Sequence, residues 1–154
     1  MVTGSTSLES NFGDLTRKAS VKSFLIVESI NWQAGAFGGQ ALALYGTSQD
    51  SNGKKTTATT LGGRVSYGLT KNFKRVSELG TSQYKTDGSA AARLTKLTIT
   101  PTLSINSDFW SRPELRLYVT AARWNSAAGN VTGAANFANK TSGTSAGAQV
   151  DWWF

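Results

Sequence analysis

The chain has 154 residues, enough for one domain with a sizeable core, yet only 39% of them are apolar, below the usual globular share. It contains neither cysteine nor histidine, which excludes disulfides, thiolate catalysis, histidine metal sites and histidine general bases together. The net charge of +7 arises from 16 Lys and Arg against 9 Asp and Glu. The cations occur as scattered pairs, Arg17 with Lys18, Lys54 with Lys55 and Lys74 with Arg75, without an aromatic RNA-binding motif. They suit solvated loops or a mildly basic pore lining, and no nucleic-acid partner is expected.

Residues 1–20 are polar and lack the apolar stretch of a secretory signal, so no signal peptide is read here. They form an external loop or a disordered start. The longest strongly apolar run is Phe24 to Val27, far short of the roughly 18 residues of a membrane helix. A barrel strand needs only about 9 to 11 residues, with every second one free to be polar.

Period-two segments bounded by turn residues are predicted at 21–30, 37–46, 58–69, 72–83, 93–105, 112–125 and 146–154, with no convincing helix. Alternation is clearest in Leu97, Ile99, Pro101, Leu103 and Ile105, and in Leu115, Leu117 and Val119. It is poor in 37–46 and 72–83. The connectors 47–57, 84–92 and 126–145, like residues 1–20, are longer and rich in small polar residues, whereas 31–36, 70–71 and 106–111 are short. Long and short loops thus fall on opposite ends of an up-and-down sheet, the asymmetry of outer-membrane barrels.

In the last segment Ala148, Val150, Trp152 and Phe154 share one face, while Gly147, Gln149, Asp151 and Trp153 share the other. A strand ending on aromatics suits a membrane barrel with interfacial girdles. The fold class expected is therefore all-β, an antiparallel up-and-down transmembrane barrel. Complete bacterial barrels have even strand numbers, and lipid does not tolerate bare edges. Seven strands are accordingly expected to be the carboxy-terminal piece of a longer barrel lacking an odd number of strands. A soluble β-sandwich or solenoid acting as a binding or adhesion module, and a small eight-stranded barrel, are the alternatives.

Trp110 lies at a short turn, and Trp153 lies on the polar parity near the same end. Two indoles there offer flat surfaces for the apolar faces of sugar rings, or else belong to the girdle with Trp152 and Phe154. Glu114, Arg116 and Tyr118 share the polar face of one strand, as Gln149 and Asp151 share that of another; these groups bond sugar hydroxyls, tune ions, or simply solvate a lumen. Glu114 and Asp151 are framed by no glycosidase motif, so no catalysis is expected. The glycine pairs Gly38–Gly39 and Gly62–Gly63 lack phosphate-cradling spacing and suit sheet curvature or crowding. The triplets at Asn130 and Asn139 match glycosylation acceptors, but in a bacterial protein they are only loop polarity.

The run Phe109, Trp110, Ser111, Arg112, Pro113, Glu114, Leu115, Arg116, Leu117, Tyr118, Val119, followed by Ala122, Arg123 and Trp124, resembles the carboxy-terminal part of maltoporin-type carbohydrate porins. Asn31 with Trp32, Gly62 with Arg64, Glu78 to Gly80, and Gln149 to Phe154 add ordered support. The resemblance spans about residues 20–154. It implies an eighteen-stranded, homotrimeric barrel of the bacterial outer membrane, with residues 21–154 as its carboxy-terminal part and eleven strands upstream. It implies passive, sugar-selective diffusion of oligosaccharides along lumen aromatics, the greasy slide, with neither cofactor nor metal. Trp110 and Trp153 match slide tryptophans, and Arg116, Glu114 and Tyr118 are candidate polar contacts. Phe154 keeps the family's terminal aromatic, a signal for the barrel assembly machinery. The family's constricting loop and remaining slide residues would precede residue 1, and the 126–145 loop resembles no sugar-binding loop. A general, non-selective porin is the alternative within transport.

Overall fold

Alternating β-branched, aromatic and threonine residues extend most of the chain into strands, and short glycine-bearing turns fold them back on one another. The computed structural model describes residues 21–129 and 139–152. It contains β1 (Lys22–Ala34), β2 (Phe37–Gln49), β3 (Lys55–Gly68), β4 (Phe73–Thr86), β5 (Ala92–Ser104), β6 (Glu114–Trp124), the short helix α1 (Ser126–Gly129) and β7 (Ser142–Asp151). The strands form one antiparallel sheet in the order β1-β2-β3-β4-β5-β6-β7. Among the described residues β1 and β7 each pair on one side only.

Two neighbouring rows of the ladder define the sheet. Ile30, Ala41, Gly63, Leu79, Leu97, Ala121 and Thr144 lie in register across all seven strands. One residue along, the row reads Asn31, Gln40, Arg64, Glu78, Thr98, Thr120 and Ser145. Because successive side chains point to opposite faces, one face is predominantly apolar and the other polar and charged. Ile30, Leu61, Leu79, Leu117 and Val119 stand exposed on the apolar face. Trp32, Phe37 and Tyr67 form an aromatic rim at its short-turn end, where the rings of Phe37 and Tyr67 lie 4.6 Å apart. Trp152 continues the apolar parity of β7 and is exposed.

The polar face carries hydroxyl pairs between strands: Thr56 with Thr86 at 2.9 Å, Thr60 with Ser82 at 3.0 Å and Thr98 with Thr120 at 2.8 Å, in each of which either oxygen can donate. Few apolar side chains are buried, and apart from Leu44 in the middle of β2 they sit at the ends of the strands. Ala92, Trp124 and Ala128 cluster where α1 folds over the polar face at one end. Phe109 is buried at the other.

The expected strands are present, in most cases longer at one or both ends. Three features differ from expectation. The first turn is only Gly35 and Ala36, with Gly35 at a φ of 56°, the backbone of a tight two-residue hairpin. A four-residue helix follows β6 where no helix was expected, because Asn125 Oδ1 accepts the Ala128 N–H at 3.2 Å and closes a turn. The connection between β5 and β6 is not a short turn: it spans 105–113, longer than the 50–54 and 87–91 connections at the opposite end. It folds back onto the polar face. Residues 1–20, Trp153 and Phe154, with the expectations attached to them, lie outside the described residues, as does Asn130.

Candidate functional site: a charged recess on the polar face

The motif Trp-Ser-Arg-Pro-Glu straddles the boundary between the β5–β6 connection and β6. Pro113 fixes the backbone as the chain re-enters the sheet, and Glu114 is the first residue to pair, with Ser104 on β5 and Asp151 on β7. Strand parity turns Glu114, Arg116 and Tyr118 onto the polar face together with Asp151 and Gln149.

Glu114 is the hub of a dense ionic cluster. Its carboxylate lies 2.6 Å from Lys74 Nζ on β4 and 2.9 Å from Arg112 Nη1, and it also pairs with Arg116. Asp151 closes the ring, 2.8 Å from both Arg112 Nε and Arg116 Nη2. Three cations, Lys74, Arg112 and Arg116, therefore surround two carboxylates, leaving one formal positive charge. The side chains of Glu114 and Lys74 are each 1% exposed. Charges so far from water persist only when paired and fully hydrogen-bonded, and each partner here has several contacts. Lys74 also donates to the backbone carbonyl of Asp108, and Arg112 to the carbonyls of Phe109 at 3.2 Å and Ser111 at 2.8 Å. The cluster thereby ties the connection to the wall.

Beside this cluster lies a recess of about 240 Å³ lined by Arg64, Glu78, Phe109, Arg116, Tyr118 and Gln149, among others. Arg64 and Glu78 face each other at 2.7 Å and remain partly open to solvent. Arg116 and Tyr118 thus border open space, whereas Glu114 does not and acts through the cations it holds. Trp110 is not a lining residue. Its half-exposed ring meets the Phe109 ring edge-on at 4.9 Å, and it is Phe109 that borders the recess. Trp153, the other expected stacking residue, lies outside the described residues.

Sequence reasoning did not single out Phe109, Lys74, Arg112, Arg64 or Glu78 as site residues. Arg64 and Glu78 had a usable signal, since each stands at the polar parity of its strand. Lys74 shares that parity on β4, but what brings it and Phe109 to the site is contact between segments more than 30 residues apart.

A hydrogen-bonded sheet with one apolar face, an aromatic rim and an ionic, hydroxyl-rich opposite face is a sector of transmembrane β-barrel wall whose polar face lines water. No helix among the described residues is long and apolar enough to cross a membrane. The family model for the LamB porin matches residues 2–154, and the chain belongs to that family. Membership implies a carbohydrate porin of the bacterial outer membrane, and the family is one of channels rather than enzymes. A comparison with curated proteins found no match.

Proposed function

We propose that the chain is the carboxy-terminal sector of a sugar-selective porin, through which oligosaccharides diffuse passively from the external medium to the periplasm. The observation that carries this reading is the recess on the polar face, where an aromatic ring, arginines and a tyrosine adjoin. Sugar rings pack their C–H faces on aromatic surfaces and bond their hydroxyls to charged and polar groups. Arg116 and Tyr118 supply hydrogen-bonding groups there, and Glu114 holds Arg116 in place. Trp110 offers a stacking surface at the end of the sheet that carries the 35–36 and 69–72 turns, which is the periplasmic end in this reading, and the sequence resemblance assigns the same role to Trp153.

Directionality of the strands supports a partial barrel. β1 and β7 run the same way, so pairing β7 directly with β1 would be parallel, unlike the rest of the sheet. Antiparallel closure takes an odd number of further strands. The eleven of an eighteen-stranded parent satisfy this, and the complete barrel assembles as a homotrimer with Phe154 as its assembly signal.

Sugar block of ion current through the intact porin in planar bilayers tests the reading. Trp110→Ala shortens the residence of a maltodextrin by about tenfold, the loss of one good aromatic contact. Unchanged block would remove Trp110 from the path. Absence of block by any oligosaccharide in the unmodified porin would favour a general, non-selective pore.

A further inference from the structure

The connection between β5 and β6 is far longer than the two residues that suffice to join neighbouring antiparallel strands. Residues 105–113 use the excess to lie across the polar face and reach strands distant from their own. Gln33 on β1 accepts the Phe109 N–H through Oε1 at 2.9 Å. Gly38 on β2 gives Phe109 its seat: a Cβ added there would stand 2.6 Å from the Phe109 Cβ, and closer still to Gln33 Oε1. Ser107 lies over Gly68 at the end of β3, where an added Cβ would also come within 2.6 Å of its side chain. On β4, Lys74 Nζ reaches the carbonyls of Asp108 and Phe109. Phe109 is only 4% exposed although it belongs to a connection at the rim of an open sheet.

Contacts to four strands, two of them through glycines with no room for a side chain, specify one docked position. We propose that residues 105–113 form a fixed shelf that narrows the lumen at the periplasmic end, and that Gln33, Gly38 and Lys74 are positioning residues for it. The shelf holds Phe109 against the wall, and the edge-on contact of Phe109 with Trp110 sets where the indole stands. A solute leaving the recess therefore passes a surface whose position is set by β1, β2 and β4. This inference rests on the reading of the chain as sugar-porin wall.

Two measurements test it. Hydrogen exchange followed by mass spectrometry, on the intact porin in detergent, reports the Phe109 amide directly. Gln33→Ala removes its acceptor and accelerates exchange by about fivefold or more, the usual worth of one hydrogen bond, while Gln33→Glu retains an acceptor oxygen and restores protection. Gly38→Val displaces the shelf and gives fast exchange whichever residue occupies position 33. In the intact porin, Gly38→Val pushes Phe109 off the wall and lowers open-channel conductance, and Gln33→Ala shortens sugar residence by a similar fivefold that Gln33→Glu recovers.

Equal Phe109 exchange in the unmodified chain and the Gln33 variants overturns the docking, whatever the channel does. Exchange that responds while conductance and residence both stay fixed overturns the shelf's role in passage. A porin that no sugar blocks, yet whose conductance falls with Gly38→Val, keeps the shelf and refutes sugar selectivity instead.

Discussion

The Lys74 ammonium and the Glu114 carboxylate lie 2.6 Å apart although they belong to strands separated by β5. Thr102, fully buried and in register with both Lys74 and Arg116, lies on the strand between. The pair therefore clamps three strands, and its two members are not equivalent. Glu114 serves three cations, whereas Lys74 serves one carboxylate and two carbonyls.

Glu114→Leu is accordingly expected to destabilise the protein more than Lys74→Met. Removing the hub strands three cations around Asp151 alone, which costs about 3–5 kcal/mol, the range for breaking a buried pair. Losing Lys74 leaves Glu114 with two arginines and costs about 1–3 kcal/mol, since its carboxylate remains paired. Chemical denaturation in lipid or detergent, followed by tryptophan fluorescence, orders the two variants. The reverse order would mean that the carbonyl contacts of Lys74 outweigh its ion pair.

Glu28 stands midway along β1 on the apolar face, flanked by Ile26 and Ile30 and opposite Ala43. Among the described residues it makes no ion pair. A carboxylate at mid-depth on a lipid-facing surface is unfavourable, though less so than arginine or lysine. Glu28→Leu is expected to stabilise the folded protein by about 1–2 kcal/mol in bilayers. Destabilisation instead would show that a segment pairing with the open side of β1 brings a cation to it.

Gly39 faces Trp32 across the β1–β2 ladder, and an added Cβ would stand 2.7 Å from the indole Cε2 and 2.8 Å from the Arg64 carbonyl. The ring lies over the glycine and covers its backbone. Gly39→Ala must lift the indole or shift β3, at about 1–3 kcal/mol, the usual cost of overpacking. The denaturation midpoint measures this, and an unchanged midpoint would show that Trp32 is free to take another rotamer.

Arg64 and Glu78 neutralise each other in a partly open setting, so their pairing contributes about 1 kcal/mol or less to stability. Their influence lies in the field of the lumen. Glu78→Gln leaves Arg64 unbalanced beside a cluster that already carries one excess positive charge, and reversal potentials in a salt gradient should move toward anion preference. The shift should fade at high ionic strength, as screening requires. A shift toward cations would contradict the charge balance described for this face.

Much of the sheet was legible because the alternation is written locally. From Leu97 to Leu103 in β5 and from Leu115 to Val119 in β6, apolar residues alternate with polar ones in period two, and both segments were placed within two residues at each end. In β2 the signal fails for a physical reason: Leu42 and Leu44 take the polar parity, and the apolar side opposite Trp32 is Gly39. The pairing of Glu114, Arg116 and Tyr118 on one face followed from parity alone. The inward fold of 105–113 did not, because Phe109 is held by Gln33 and Gly38, both more than 70 positions away. Polar residues in such a segment look like any exposed turn until the partners are known. The likeness of Trp-Ser-Arg-Pro to a porin motif pointed to function sooner than the chemistry of its residues did, since its Arg112 and the following Glu114 and Arg116 are absorbed in a charge cluster.

The hydroxyl pairs between strands bear on friction. In Thr56 with Thr86, Thr60 with Ser82 and Thr98 with Thr120, either oxygen can give the proton, so each pair admits two hydrogen-bond arrangements. A wall of this kind has no fixed polarity along its length. A polyol moving past it can exchange one hydrogen bond for an equivalent one at each step, while the displaced threonine turns back to its neighbour. If the chain lines a sugar pore as proposed, such pairs give a sugar many weak, exchangeable contacts, and arrest falls to the aromatic and ionic groups beside the recess.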